Sequence, residues 1–577
     1  MEGKSLTKYG ASYHTLAEKE KVVRGLLAAM DALYEKGIFG NGLSPDNIMI
    51  MPNFSIRLTG VEGIGNCAAE ASGGMAVANK FCNTDKKSKQ TIWSKDLFGL
   101  AMSILYLYLG TGICFFSDES KGGDSRPVVD KVMEQMVLAV EEKKLPKEIR
   151  NMVYSLLLKS SQRIEEKPVF SAMFNRELPF PATKRWNISL EQADDVCRSF
   201  LKGLYREAKT NLQGGSERLW DSTDFGRTTN AMNIQHGVAG IAGVLLELEK
   251  VEGFEDISHE ILELVDDYLG EADVFRIQAD NSLLFGNHGI AWFLYDFYRQ
   301  RRDAEKTEAA VRFVLSLPGQ SEVQDYAAGL AGYGCTYLKF WNETGNMAFL
   351  DKAGAAANSI YAHFAGRNGK QENFPKAERG LGFAHGEAGL LYFMHLMSVV
   401  TDRAEYHDYV NESLPTYLKK VEEEVNGYYR EKKKTDVSWC NGLAGIGTAL
   451  LSIGQYAWKS EIYPILCKIS KIITDSMWAQ SNCQCHGNAG SVEFLMDMFD
   501  VMRDGTFLYQ AKAVAKYIYT KRFYDSQGNA RFADETKQST CYDYGTGAAG
   551  AMRAILRADG WVYDRLYMLG DLRKRKL

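Results

Sequence analysis

Two short strings of the sequence place cysteine, and in one case also histidine, within two residues before a glycine. Ser-Trp-Cys-Asn-Gly occupies residues 438–442, and Cys-Gln-Cys-His-Gly occupies residues 483–487. Thiolate and imidazole are preferred zinc ligands, and three of them leave the fourth position of a tetrahedral site open for chemistry. Cys440, Cys485 and His486 are therefore candidate zinc ligands. Cys483 is a weaker candidate for a fourth ligand, because positions 483 and 485 project differently from a tight loop. The alternative for these cysteines is simple burial as small apolar residues.

Both strings belong to a pattern that occurs seven times from about residue 230 onward: a glycine, two residues, usually a second glycine, then an apolar run. The first glycines are Gly237, Gly286, Gly329, Gly386, Gly442, Gly487 and Gly547. The apolar runs have helical periodicity and are apolar nearly all round, whereas stretches between them, such as 257–269 and 404–424, are amphipathic. Seven buried helices alternating with seven half-exposed ones predict an all-α fold, a closed α/α toroid of seven helical-hairpin repeats.

The glycines at the starts of the inner helices admit two explanations. They could let neighbouring helices approach closely, or leave backbone N–H groups and positive helix-dipole ends open to a central cavity. We expect both to hold. Reactive side chains accumulate beside these glycines, among them His236, His385 and Asp325.

The repeat, the Trp-Cys-x-Gly string and the Cys-His-Gly string together resemble the lanthionine synthetase C-like cyclases, over roughly residues 190–577. The resemblance implies an α/α toroid holding one Zn²⁺, in which a peptide cysteine thiol adds across dehydroalanine or dehydrobutyrine to close a thioether ring. It implies Cys440, Cys485 and His486 as metal ligands. It also implies His385 as an acid or base, and Asp325 as the acidic residue that the family carries near this point.

The chemistry of these residue types agrees with that function. A free thiol has a pKa of about 8.5, and coordination to zinc lowers it. Addition of the thiolate to the β-carbon creates an enolate, so an acid must protonate Cα. His385 suits this step because imidazole titrates near neutral pH, and Asp325 could orient it or take the thiol proton. From position alone His385 could equally be structural, and His236 is expected to be structural or to support the site.

Two positions depart from the family pattern. Asp436 stands where family members often carry Arg, and Asn441 stands where Tyr or His often follows the first zinc cysteine. The zinc ligands are unaffected by these departures. The contacts to the peptide and any auxiliary proton donor are therefore the features that we expect to differ.

The first third of the chain resembles the catalytic-loop half of a protein kinase, as fused to cyclases in class III and IV lanthipeptide synthetases. The resemblance lies in residues 28–63, which include Gly-Asn-Gly-Leu-Ser-Pro-Asp-Asn at 40–47. Kinases need His and Asp at the positions of Gly40 and Gly42, Asn at that of Asn47, and a metal-binding Asp at that of Gly60. Only the Asn is present, and no Gly-rich loop or ATP-pairing Lys precedes the segment. We expect a folded, degenerate C-lobe without kinase activity; the alternative is an unrelated helical domain.

Asp96 and Arg163 are expected to be structural residues of that lobe. Prolines interrupt the helical pattern between residues 165 and 187. We therefore expect a pseudokinase domain at 1–175, a linker at 176–188 and the toroid at 189–577. The basic tail at 573–576 is expected to be solvated, or to contact an acidic leader peptide.

Composition excludes several classes of protein. The 577 residues carry 68 Lys and Arg against 73 Asp and Glu, a net charge of -5, which offers no footprint for nucleic acid or anionic membrane. The ten cysteines form no disulfide framework and residues 1–24 lack a signal peptide, so we expect a cytoplasmic protein. The uncharged run at 97–116 contains a glycine cluster at 110–112. It therefore predicts a buried helix ending near Leu109, and no membrane span.

Together these features predict a zinc-dependent lanthipeptide cyclase that acts on a dehydrated ribosomal precursor peptide. Because kinase activity is expected to be lost, dehydration of Ser and Thr requires a separate kinase or lyase partner. Two alternatives stay open. The chain could be a non-catalytic scaffold that holds the peptide for an active partner, or it could add another thiol, of the glutathione type, to dehydroamino acids.

Overall fold

The structure, a computed structural model, divides the chain into two compact units. It describes residues 3–10, 14–38, 43–59, 92–109, 128–142, 144–161, 168–173, 188–271, 274–275, 279–365, 380–431, 435–537, 539–570 and 572. Among these residues the division falls between Ser189 and Leu190. Of the linker predicted at 176–188, only Ile188 is described, so the domain boundaries stay a prediction.

The first unit combines a small antiparallel sheet with helices. In chain order its elements are β1 (Lys4–Ser5), α1 (Leu6–Gly10), α2 (Leu16–Glu35), β2 (Ile48–Ile50), β3 (Ile56–Leu58), α3 (Ile92–Leu109), α4 (Val128–Glu141) and α5 (Lys147–Ser161). The strand order is β1-β2-β3, with Lys4 opposite Ile50 and Ile48 opposite Leu58. A capping box opens α2, in which Thr15 accepts from the Glu18 N–H and Glu18 accepts from the Thr15 N–H.

Helix α3 forms the core of the first unit and packs against α5. Leu97, Phe98 and Leu100 are fully buried, which confirms that the described part of the uncharged run, up to Leu109, forms a buried helix. Asp96, in the second turn of α3, is also fully buried and accepts from the Tyr34 hydroxyl at 2.8 Å. No helix in the described ranges combines the length and apolar character needed to cross a bilayer.

The kinase-like residues of the first unit lie mostly outside the described residues. Gly40, Gly42, Gly60 and Arg163 fall in the undescribed ranges, as does the basic tail at 573–576. Asn47 is described, and its side-chain oxygen accepts from the Ser44 N–H at 2.9 Å, which closes a turn before β2. The degenerate kinase lobe therefore stays a prediction.

The second unit is almost entirely helical. Its elements are α6 (Ala193–Gln213), α7 (Asp224–Arg227), α8 (Val238–Leu248), α9 (Glu255–Glu271), α10 (Asn287–Gln300), α11 (Ala304–Ser316), α12 (Leu330–Thr344), α13 (Met347–Ala365), α14 (Glu387–Thr401), α15 (Ala404–Glu431), α16 (Leu443–Gly454), α17 (Lys459–Ser476), α18 (Asn488–Met502), α19 (Gly505–Thr520), β4 (Phe523–Tyr524), β5 (Ala530–Arg531) and α20 (Ala548–Asp559). Strands β4 and β5 form an antiparallel hairpin.

The helices of the second unit form two concentric layers. The inner helices α8, α10, α12, α14, α16, α18 and α20 each pack against the next, and α20 packs back against α8. The outer helices α9, α11, α13, α15, α17 and α19 each pack on the inner helix before them, and α6 packs on α20. The predicted all-α toroid of seven helical hairpins is therefore confirmed.

The glycines fit tightly wound loops at the starts of the inner helices. In all seven loops, the N–H of the residue after the first glycine donates to the carbonyl six residues before that glycine, as from Val238 to Ala231 at 2.9 Å. A Cβ on the first glycine would come within 2.6 Å of the same carbonyl oxygen in every repeat. Close approach explains the glycines, as predicted. The structure differs from the expectation of open N–H groups, because the loop carbonyls occupy these donors.

Candidate active site

A closed ring of backbone hydrogen bonds joins the seven loops that precede the inner helices. In each loop, the residue two positions before the first glycine donates its N–H to the matching residue of the next loop. The donors, in order, are Gln235, Leu284, Ala327, Ala384, Cys440, Cys485 and Gly545, and Gly545 donates back to Gln235. The seven bonds measure 2.8 to 3.1 Å. The two cysteines therefore occupy equivalent, adjacent positions of this ring.

The three predicted metal ligands come together at this ring. One ligand atom from each of Cys440, Cys485 and His486 lies within 4.8 Å of the other two. The Cys440 Sγ is 3.4 Å from the His486 Nδ1. A tetrahedral site with Zn–S near 2.3 Å and Zn–N near 2.0 Å separates S from N by about 3.5 Å. The donor set and its spacing thus fit Zn²⁺.

Cys483 stands apart from this group. Its Sγ lies 3.1 Å from the Ser481 hydroxyl oxygen, and burial raises the pKa of its thiol. Among the residues that the structure describes, no fourth Cys, His or carboxylate joins Cys440, Cys485 and His486. The group thus offers three donor atoms, the number that the protein supplies in catalytic zinc sites.

The charges of the three ligands are strongly coupled. A hydrogen bond from the Cys485 thiol, with further help from His486, lowers the pKa of Cys440 to about 5. The bond to Cys440 and burial raise the pKa of the Cys485 thiol. Hydrogen bonds to Cys440 and Glu535 raise the pKa of His486 to about 11. The site therefore favours a thiolate at Cys440, the ionisation state that binds metal.

Asp325 and His385 form a hydrogen-bonded pair next to the cysteines. The His385 Nδ1 lies 2.9 Å from the Asp325 Oδ2, while the Asp325 Oδ1 accepts from the Ala328 N–H at 2.7 Å. The bond to Asp325, aided by the charge of Cys440, raises the pKa of His385. Asp325 is buried, whereas 44% of the His385 side chain is exposed. The backbone bond from Ala384 to Cys440 fixes this pair beside the ligand ring.

His236 directly precedes Gly237, as His385 precedes Gly386. It pairs with Asp543 of the seventh repeat, which adjoins the first repeat in the closed ring. Its Nδ1 lies 3.0 Å from the Asp543 Oδ2, which also accepts from the Ser222 hydroxyl at 2.7 Å. Both His236 and Asp543 are almost fully buried. This environment is the one expected of a structural histidine.

The two departures from the family pattern lie at the first cysteine loop. Asp436 is exposed, and its side chain accepts from the Ser438 N–H at 2.8 Å. Asn441 is exposed directly after Cys440, and its N–H donates to the Ser438 hydroxyl oxygen at 3.3 Å. Neither side chain enters the group of ligands.

Glu535 is a site residue that sequence reasoning missed. Its Oε2 accepts a hydrogen bond from the His486 Nε2, the imidazole nitrogen that does not face Cys440. Glu535 lies in an irregular segment after β5 and at no position of the glycine repeat. The repeat, which located the other site residues, therefore carried no signal for it.

Comparisons with known proteins bear on the second unit. A family model described as lanthionine synthetase C-like protein matches residues 228–559, more than half of the chain. Among solved structures, one described as nisin cyclase is similar, with 15% identity and a TM-score of 0.45. That similarity covers 65% of this chain and 96% of the other. Because it is low in both identity and superposition, the family assignment rests on the match over 228–559.

Proposed function

Because the chain belongs to the lanthionine synthetase C-like family, we propose that it is a zinc-dependent lanthipeptide cyclase. It would add cysteine thiols of a peptide to dehydroalanine or dehydrobutyrine residues of the same peptide and so close thioether rings. The observation that carries the proposal is the group formed by Cys440, Cys485 and His486, inside the segment that the family model matches.

The mechanism assigns separate tasks to the ligands and to the acid–base pair. Cys440, Cys485 and His486 would hold Zn²⁺, which when bound lowers the pKa of a thiol at the open position. Addition of that sulfur to the β-carbon leaves an enolate, and Cα then needs a proton to replace the one lost by the thiol. The Nδ1 of His385 is hydrogen-bonded to Asp325, so the Nε2 is the nitrogen that can donate this proton. The bond to Asp325 raises the pKa of His385, which favours the protonated form that this task needs.

The substrate in this proposal is a precursor peptide that another protein has already dehydrated. The glycines at positions 40, 42 and 60 replace the catalytic and metal-binding residues of a kinase. Phosphorylation and elimination would then come from a separate kinase or lyase partner. The cyclase would receive dehydroamino acids and free cysteines together.

Metal analysis combined with a cyclisation assay tests the proposal. The wild type should contain about one Zn per chain and close rings in a dehydrated peptide. Cys485→Ala should lose both the metal and ring closure. His385→Ala should keep its zinc and close rings about 100-fold or more slowly, the usual contribution of a general acid. His407→Ala is the matched control, since His407 pairs with Asp402 at 3.1 Å and is also 44% exposed.

The alternatives give different results in the same assay. A wild type without zinc would contradict the proposal. A scaffold would bind the dehydrated peptide without closing rings, even as the wild type. An enzyme for another thiol would leave the peptide cysteines unreacted and attach added glutathione instead. Mass spectrometry after alkylation of free thiols distinguishes these products.

A further inference from the structure

We propose that Glu535 is a positioning residue that orients His486 toward the metal. This inference rests on the proposed function, since it requires a metal ion at Cys440, Cys485 and His486. Glu535 is not a member of the group of three ligands, and its side chain bonds His486. Its effect would pass through the imidazole ring of His486.

The two ring nitrogens of His486 face different partners. The Nδ1 lies 3.4 Å from the Cys440 Sγ, and the Nε2 bonds the Glu535 Oε2. A carboxylate only accepts, so the Nε2 keeps its proton, and the Nδ1 is the nitrogen whose lone pair would face a metal once it is deprotonated. That lone pair then points to the side where the two sulfurs lie. A metal-binding histidine held by a carboxylate in this way has a fixed ring orientation and is a more basic ligand.

A tied turn holds the Glu535 carboxylate in place. The Glu535 N–H donates to the Thr546 carbonyl at 3.0 Å, which anchors it to the loop that opens α20. The Asp534 side chain accepts from the Thr536 N–H at 2.9 Å, and the Asp534 N–H donates to the Ser539 carbonyl at 2.9 Å. Lys537 donates to the Ala479 carbonyl at 2.9 Å. These hydrogen bonds fix the turn that carries Glu535, and only 24% of its side chain is exposed.

The elements of the site come from three successive repeats. Cys440 precedes α16, Cys485 and His486 precede α18, and Glu535 is fastened to the loop before α20. A His–Glu pair that served only to stabilise the fold could lie anywhere on the toroid surface. This bond instead falls on the one ligand that is not itself a member of the hydrogen-bonded ring. His486 is also the ligand with the most exposed side chain, 41%, and so the one that most needs orientation.

Zinc affinity of the full-length chain tests the role of Glu535. Glu535→Ala should bind zinc about 10- to 100-fold more weakly in competition with a chromogenic chelator. Glu535→Gln should lose less, because the amide oxygen can still accept from the Nε2. The matched control is Glu249→Gln, which changes another His–Glu pair, joined to His259 Nδ1 at 2.7 Å and remote from the ligands. Its zinc affinity should equal that of the wild type.

The visible spectrum of the Co²⁺-substituted proteins provides a second readout that a purely structural role would not move. Glu535→Ala should change the d–d bands, whereas Glu249→Gln should not. Wild-type zinc affinity and an unchanged spectrum in both Glu535 variants would overturn the positioning role alone. An equal loss of affinity in Glu249→Gln would also overturn it, since general destabilisation would then explain the effect. A wild type that binds no zinc would overturn the proposed function together with this inference.

Discussion

At the scale of single residues, the toroid contains two Asp–His pairs built to the same plan. In both, an Asp four residues before a repeat glycine bonds the His one residue before the glycine of the next repeat in the ring. The distances are 2.9 Å for Asp325–His385 and 3.0 Å for Asp543–His236. The pairs differ in exposure, with 44% of the His385 side chain open to solvent and 3% of His236. Proton exchange with a substrate needs access, so only the first pair can serve as the proposed acid.

The pH dependence of ring closure should report on Asp325. Asp325 raises the pKa of His385, so the protonated imidazole persists to higher pH in the wild type. In Asp325→Asn this pKa falls, and the alkaline decline in rate should move to lower pH. Above both pKa values, each unit of decrease lowers the protonated fraction about tenfold. The measurement is the rate of ring closure in a dehydrated peptide as a function of pH.

Asp402→Asn, which alters the exposed His407 pair outside the site, should keep the wild-type profile. If the alkaline limb of Asp325→Asn coincided with that of the wild type, His385 would not be the acid whose ionisation limits the rate.

At the scale of elements, the sequence predicted the helices well and the contacts between loops less well. The apolar run predicted to be helical after Gly237 belongs to α8, which begins directly after that glycine at Val238. The outer stretch at 404–424 belongs to α15, which continues to Glu431. The glycine period made these elements visible because each repeat winds the same loop before the same helix. It also placed Cys440 and Cys485 at equivalent positions.

The contacts that the sequence could not supply depend on backbone geometry or on irregular segments. The seven-membered ring of hydrogen bonds joins main-chain atoms, which every residue carries, so no side-chain pattern marks it. The repeat glycines suggested open helix ends, yet the loops wind tightly enough for their own carbonyls to take the N–H groups. Glu535 reaches His486 from a turn outside the repeat, and nothing in its sequence neighbourhood distinguishes it from other surface acids.

The loops can be tested at a repeat that carries no site residue. A Cβ at Gly289 would collide with the carbonyl oxygen of Leu283 in its own loop and lie 2.6 Å from the Ile234 Cδ1 of the neighbouring loop. The Leu283 carbonyl cannot move away without opening the loop. Gly289→Ala should therefore lower the free energy of unfolding by about 3 kcal/mol. Gly505→Ala, where no atom lies within 4 Å of the added Cβ, should change stability little.

Chemical denaturation of the two variants and the wild type, followed by circular dichroism, measures these differences. Equal stability of Gly289→Ala and wild type would mean that the loops have room for a side chain. The close-approach explanation of the glycines would then be wrong.

At the scale of the whole toroid, closure depends on contacts from the last inner helix and the residues after it. Arg557 of α20 bonds the buried Glu493 of α18, and Arg553 joins the same Glu493 to Glu247 of α8. Beyond α20, the carbonyls of Tyr567 and Leu569 accept from the hydroxyls of Tyr326 and Tyr392 at 3.1 and 3.0 Å. The segment that contains Tyr567 and Leu569 therefore lies among the inner helices and reaches the loop that precedes α12.

The proposed division of labour between this chain and a partner is a prediction about the whole molecule. Phosphoryl transfer needs a catalytic carboxylate and a metal-binding carboxylate, and positions 42 and 60 hold glycine instead. The purified full-length chain, given Mg²⁺, ATP and an unmodified precursor peptide, should produce neither phosphopeptide nor loss of water by mass spectrometry. The same preparation should close rings once a separate kinase and lyase have dehydrated the peptide, which controls for its integrity. ATP-dependent phosphorylation or dehydration by the chain alone would contradict the loss of kinase activity while leaving the cyclase proposal intact, since the two activities depend on different residues.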